Sequence, residues 1–273
     1  MLCGAAAAPA VRAVQQPAPT ALSYSGARTQ GGAVIGIAPA GTRALTLDGA
    51  AVPVAPDGRF LIAFDRDAGP VATVIATLAD GRQVSDTLTI APRAWNISRL
   101  NSLPKYPVPA AEFARIRPGE LAQIAAARGT PADTMGWRQR FLWPTMGRIS
   151  TLFGAQRVYR NGEAGAYHSG IDIARATATP VLAPADGVVI LAADHPFTLE
   201  GNLLMIDHGM GLNSAFLHLS RIDVRVGDRV TRGQLVGAVG MSGRATGPHL
   251  HWSLKWRDAR IDPLLLAGAM PAG

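Results

Sequence analysis

Glycine and proline interrupt this chain almost everywhere: 30 glycines and 20 prolines among 273 residues leave few stretches long enough for an amphipathic helix. What survives between the interruptions is short and either apolar or alternating, the pattern of strands bounded by turns. Residues 44–47, 51–54 and 59–64 read this way, separated by Asp48-Gly49 and Pro56-Asp57-Gly58. Residues 71–79 and 83–90 flank Asp80-Gly81, a two-residue hairpin turn, and β-branched side chains are dense between 71 and 78. From residue 141 onward, 181–182, 187–191, 203–206, 214–217, 229–230, 235–239 and 250–254 repeat the pattern. The gaps leave no room for crossover helices, so the sheet is expected to be antiparallel.

One helix is predicted, over 118–128. Pro118 suits its first turn and Glu120 its positive end, while Leu121, Ile124 and Ala125 share a face and Gly129 stops it. The chain is therefore expected to be mainly β. Residues 1–22 read as a truncated signal peptide and linker, and 23–92 as a small β-sandwich. Residues 93–140 read as a basic, proline-rich connector with the short helix, 141–267 as an antiparallel β domain carrying the chemistry, and 268–273 as a tail.

Charge and cysteine narrow the function classes. The net charge is +7. The surplus lies in residues 93–140, where Arg93, Arg99, Lys105, Arg115, Arg117, Arg128, Arg138 and Arg140 face three acidic residues. This reads as a solvated surface, with attraction to an anionic polymer or headgroup as the functional alternative. No dense basic run points to nucleic acid. No apolar stretch reaches the roughly 20 residues needed to span a bilayer. The opening Met-Leu-Cys-Gly-Ala-Ala-Ala-Ala-Pro-Ala resembles the end of a signal peptide, with Ala8-Pro9-Ala10 as its cleavage site, so export to the periplasm or cell envelope is expected. The single cysteine, Cys3, excludes an internal disulfide and a cysteine metal cage. Any metal must be held by His, Asp or Glu.

The histidines are not scattered. None lies in the first 167 residues; all six fall between 168 and 251. His168-Ser169-Gly170-Ile171-Asp172 sets an imidazole and a carboxylate four apart, on one side of an extended segment. In His249-Leu250-His251-Trp252, the histidines share a face and the apolar residues take the other. Two histidines and an aspartate can hold a catalytic metal and leave one position open to water, whose acidity the metal raises. His218 and the histidine of the 249/251 pair that is not a ligand are then candidates for a proton acceptor. Non-haem iron oxygenases also use two histidines and a carboxylate, usually with His-x-Asp spacing. His195 and His208, beside a proline and a turn glycine, read as non-ligands, and Asp186, Asp207 and Asp223 as turn residues.

From about Trp143 to Pro263 the sequence resembles the lysostaphin-like (beta-lytic, LytM-type) zinc metalloendopeptidases. The resemblance runs through Gly147-Arg148-Ile149-Ser150, Tyr167-His168-Ser169-Gly170-Ile171-Asp172, Ala185-Asp186-Gly187-Val188-Val189, Ile206-Asp207-His208-Gly209, His218-Leu219-Ser220 and Thr246-Gly247-Pro248-His249-Leu250-His251. It implies an antiparallel β fold with a groove over the sheet. It also implies one Zn2+ per chain on His168, Asp172 and His251, with His218 and His249 beside the reacting water. The implied substrate is a peptide bond in peptidoglycan stems or cross-links. A non-catalytic wall-binding or hydrolase-activator module of the same fold is the alternative. Two positions depart from the family pattern: Ala178 stands where a glycine is usual, and Phe216 where an aromatic hydroxyl is common and a groove hydroxyl is expected to be lost.

Overall fold

The computed structural model describes residues 19–100, 111–160 and 162–271. The candidate signal peptide, Cys3 and Lys105 lie outside them.

The N-terminal part forms two antiparallel sheets. Strands β1 (Ser23–Gly26), β2 (Ala33–Ile37), β3 (Thr42–Leu47), β4 (Ala50–Val52), β5 (Arg59–Ala63), β6 (Val71–Leu78) and β7 (Gln83–Thr89) sort into sheets ordered β1-β2-β5 and β4-β3-β6-β7. Phe60, Ile62, Val74 and Ala76 are fully buried between them and the rest of the core. The turn at Asp80-Gly81 joins β6 to β7, with Gly81 at φ 84°. β2 is hidden from a sequence reading by Gly36, which looks like a break. The glycine is there because the Phe60 ring lies against it: a Cβ would sit 2.1 Å from Cζ.

Two expectations about the connector are corrected. Residues 97–100 form β8 (Ile97–Leu100), which pairs in parallel with a strand some sixty residues later. The helix is longer than expected, α1 (Ala111–Arg128), with Pro118 inside it rather than at its start. Its buried positions are Glu120, Ile124 and Ala127, while Leu121 and Ala125 are exposed. A carboxylate occupies the inward face, so apolar spacing misplaces that face.

The C-terminal part is built on β9 (Arg148–Thr151), β10 (Gln156–Tyr159), β11 (Ile171–Ala174), β12 (Pro180–Leu182), β13 (Gly187–Ala192), β14 (Asn202–Asp207), β15 (Leu212–Leu219), β16 (Arg221–Ile222), β17 (Arg229–Val230), β18 (Leu235–Ala238), β19 (His249–Trp256) and β20 (Ala259–Ile261), then α2 (Pro263–Ala267). The main sheet runs β17-β13-β14-β15-β19-β11-β9, with β20 on β19, and every pairing in it is antiparallel. A small sheet, β12-β18-β16, stands beside it.

Alternation divides the main sheet into two faces. Leu204, Ile206, Phe216, Leu250, Trp252 and Leu254 join the large core. Leu203, Met205 and Ala215 face the other way and pack with Ile124 and Ala127 of α1. The expected loss of a groove hydroxyl at Phe216 is thereby corrected: its ring is fully buried on the core face, opposite Trp252. The two parts of the chain are joined by polar contacts. Arg138 takes both carboxylate oxygens of Asp57, at 2.7 and 2.8 Å, and Arg93 pairs with buried Asp262 at 2.7 Å. Arg93 and Arg138, read from sequence as solvated surface charge, are joints. Among the described residues no helix is long and apolar enough to cross a membrane.

Candidate metal centre and groove

Strand register brings the two sequence motifs together. Asp172 on β11 is directly opposite His251 on β19. His168 does not lie on a strand, contrary to the extended reading of its motif: β11 begins only at Ile171. A loop holds it instead. Its backbone N–H donates to Ala155 at 2.7 Å, its carbonyl accepts from Gly154 at 2.8 Å, and Tyr167 beside it bonds Asp65 of the N-terminal part at 3.0 Å.

Three donor atoms converge. His168 Nε2 is 2.9 Å from Asp172 Oδ1 and 3.0 Å from His251 Nδ1, and His251 Nδ1 is 2.8 Å from the same carboxylate oxygen. His168 Nδ1–H donates to the Leu152 carbonyl at 3.1 Å, which leaves its Nε2 lone pair turned to the cluster. Gly170 makes room for this arrangement: a Cβ there would come within 2.4 Å of the Trp252 carbonyl and 2.8 Å of His251 Nε2. The donor set suits Zn2+. Tetrahedral Zn–N bonds of about 2.0–2.1 Å put neighbouring donors roughly 3.3 Å apart, only slightly wider than the separations here. Burial acts to raise the Asp172 carboxyl, but the imidazoles of His168 and His251 set against it outweigh burial and hold the group ionised far below the usual carboxylate range.

His249 and His218 flank the cluster. His249 Nδ1–H donates to the Gly247 carbonyl at 2.8 Å, and its Nε2 lies 3.8 Å from Asp172 Oδ1. The His218 ring is 4.7 Å from that of His249, and its Nδ1–H donates to the Ser242 carbonyl at 2.8 Å. Burial pushes His218 down to about 4, against the pull of Ser242 and helped by repulsion from His249 and His251. The neutral ring therefore keeps a free Nε2 lone pair.

A bulge sets the aim of His218. Between Asn202↔Leu219 and Leu204↔Phe216, β15 carries one residue more than β14. Leu217 and His218 oppose Leu203 alone, and His218 takes φ 65°. Strict alternation would send residue 218 to the core face; the extra residue turns it to the site. His195 lies on the surface against Asp194. His208 is buried, bonded to Ser214 Oγ and the Asp186 carbonyl at 2.8 Å each, and neither joins the cluster. Asp207, read as a turn residue, is the fully buried end of β14.

Sequence reasoning misses the residues that tie α1 to this site. Arg117 takes both oxygens of Glu200, at 2.6 and 2.7 Å, and Glu120 accepts Thr198 N–H and Oγ1–H at 2.6 Å each. The only available signal is the basic surplus around residue 117, which spacing cannot separate from solvated charge.

Residues 166–263 match the model of peptidase family M23. This part of the chain is an M23 peptidase domain. A crystal structure assigned to peptidase M23 from Pseudomonas aeruginosa aligns with TM-score 0.68 and 28% identity, over 89% of this chain and 96% of that one. Peptidoglycan DD-endopeptidase ShyA of Vibrio cholerae is 41% identical over 126 residues, 46% of this chain and 29% of that protein. DD-carboxypeptidase/endopeptidase Mpg of Neisseria meningitidis is 36% identical over 124 residues, 45% of this chain and 28% of that protein. The matched part thus spans less than a third of these relatives.

Proposed function

We propose that the chain is a zinc metalloendopeptidase that hydrolyses peptide bonds in the stems or cross-links of peptidoglycan, outside the cytoplasm. The observation that carries this reading is the convergence of His168 Nε2, Asp172 Oδ1 and His251 Nδ1 within 3.0 Å, with two further imidazoles beside it. The names of the V. cholerae and N. meningitidis relatives support the substrate class.

His168, Asp172 and His251 would hold the ion. Zn2+ there supplies Lewis acidity toward a peptide carbonyl and acidifies a water molecule. Asp172 stays ionised and balances part of the ion's charge. His218, neutral with its proton on Nδ1, presents Nε2 as an acceptor for the attacking water's proton and can return it to the leaving amine. His249 is fixed in the same tautomer by Gly247, with its ring 4.7 Å from that of His218. Once His218 has taken that proton, its Nε2–H can donate to the oxygen that gains charge as the carbonyl becomes tetrahedral.

The test is mass spectrometry of peptides released from purified peptidoglycan by the zinc-loaded chain. Release that stops on chelation, returns with zinc, and falls at least a thousandfold in His168→Ala is the expected result. Full activity in His168→Ala would sink the assignment, and the released fragments identify the bond.

A further inference from the structure

The groove between α1 and the site face of the sheet continues well past the metal centre. It holds about 160 Å3, with Ser169 and His251 at one end and Arg128, Lys255 and Arg260 along the rest. Lys255 and Arg260 stand directly opposite each other across β19 and β20. Asn213 is opposite Lys255 on its other side, and Arg128 reaches down from α1 to place Nε 3.4 Å from Asn213 Oδ1. Two cations thus face each other across adjacent strands, where like charges repel, and a third reaches the same row from the helix.

Their compensation is partial: Glu200 lines the same groove and favours the charged form of Arg128, but both its oxygens are taken by Arg117. Asp258 lies 3.6 Å from Lys255 Nζ but is fully exposed, and such pairs are worth little. The Arg260 guanidinium lies over the Tyr167 ring, 5.3 Å from its centroid, and Asp65 accepts the Arg260 backbone N–H. Asp207, the carboxylate of the same row on β14, accepts from Gly209 N–H at 2.5 Å instead. Burial lowers the pKa of Arg128 and repulsion from Arg260 lowers it further, against an opposing pull from Glu200; Lys255 is lowered by burial, then by Arg128, against Asp258. An anion seated among the three would relieve both penalties.

Distance gives the anion a place in a substrate. Lys255 follows His251 by four residues on β19, roughly 13 Å at the strand rise of about 3.3 Å. An extended peptide covers that span in about four residues. We infer that the groove seats an acidic peptide whose free carboxylate is held by Arg128, Lys255 and Arg260 while its scissile bond lies at His168, Asp172 and His251. This rests on the hydrolase reading for the scissile end and on the cationic row alone for the carboxylate end.

Cross-linked muropeptide dimers, with their carboxylates free or converted to amides, separate the two. Binding is read by fluorescence anisotropy on the zinc-loaded full chain carrying His218→Ala, and cleavage by mass spectrometry on the unsubstituted chain. The acid dimer should bind at least tenfold tighter than the amide. Lys255→Gln or Arg128→Gln should bring the acid down to the amide's level, while Arg43→Gln, on the exposed surface of β3, should leave the ratio unchanged. Should Arg128→Gln fail to fold, Lys255→Gln carries the comparison alone. Equal binding of acid and amide, or acid selectivity that survives Lys255→Gln, overturns the inference. Selective binding without cleavage would sink the hydrolase reading and leave the carboxylate site standing. Equal cleavage of both forms with equal binding would do the reverse.

Discussion

The carbonyl of Glu200 accepts the backbone N–H of His218 at 2.8 Å, and the carboxylate of the same Glu200 is gripped by Arg117 of α1. The helix is thereby linked through one residue to an imidazole held at φ 65° beside the candidate metal centre. Replacing Arg117 with alanine leaves Glu200 and nearly buried Glu120 without their cation. Breaking a fully buried pair costs about 3–5 kcal/mol; with both side chains of the Arg117–Glu200 pair about one-sixth exposed, about 2 kcal/mol is the better figure. Thermal unfolding of Arg117→Ala should fall by about 5 °C. Its kcat should fall about tenfold because His218 is loosened, and its KM should rise as well because Arg117 and Glu200 line the groove. Unchanged kcat in a folded variant would mean the link is only structural.

What is legible in the sequence follows from local physics. The Asp80-Gly81 hairpin and the alternation in His249-Leu250-His251-Trp252 depend on neighbours two residues apart, and the structure has both. The pairing of His168 with Asp172 also appears, but for a different reason: a loop pinned by Gly154 and Ala155, not a strand, brings the imidazole in. The features that escape depend on distant partners. β8 exists because β10 pairs with it, Gly36 is small because Phe60 covers it, and α1 turns Glu120 inward because Thr198 receives it. The pairing of Lys255 with Arg260 is set by cross-strand register, and Arg128 is brought beside it by the docking of α1, neither of which spacing along one chain encodes.

Gly170 lies within the His168–Asp172 stretch and against the strand that carries His251, and its missing side chain is what lets the three donors close. In Gly170→Ala the new Cβ meets the Trp252 carbonyl and His251 Nε2 well inside contact distance, so β11 and β19 must part or the imidazole must turn. Because nearby groups that orient a ligand typically change metal affinity by about 10–100-fold, zinc binding in this variant should weaken by that amount. Competition against a chromophoric chelator measures it, with circular dichroism to confirm that the sheet persists. Wild-type affinity would show that the backbone yields at no cost to the site.

Ala178 holds φ 71°, a left-handed conformation that costs an alanine about 1 kcal/mol and a glycine almost nothing. It is exposed, and its N–H is bonded to the Val239 carbonyl at 2.8 Å, so the turn is fixed by its surroundings and the side chain adds only strain. Glycine at this position also has more freedom to lose on folding, which offsets part of the gain. Ala178→Gly should stabilise the chain by about 0.5 kcal/mol in denaturant titration and leave zinc binding untouched. A destabilised variant would mean that the turn is not under strain.

Asp207 offers a pH test independent of metal. Burial raises its carboxyl to about 6, in spite of hydrogen bonds from the backbone of Gly209 and Ala132 that favour the charged form. A folded-state pKa above the unfolded value of about 3.9 means that the folded chain keeps a proton the unfolded chain releases. The stability this supplies is complete below about pH 4, declines as pH rises, and is gone above about pH 6. At pH 7 the ionised carboxylate therefore weighs against folding by roughly 3 kcal/mol relative to a neutral group, at about 1.4 kcal/mol for each unit of displacement. Asparagine is neutral throughout and its side-chain oxygen can still accept from Gly209. Asp207→Asn should accordingly be more stable than the parent chain at pH 7, by up to about 3 kcal/mol, and the difference should shrink steadily to near zero at pH 4. His208 next to it, lowered to about 4 by burial, loses its own contribution as pH falls from 6.5 through 4. That loss is common to both proteins and cancels in their difference. Guanidinium titrations at pH 4, 5, 6 and 7 would read the trend, and a gap between the two proteins that does not vary with pH would show that Asp207 is not the titrating group.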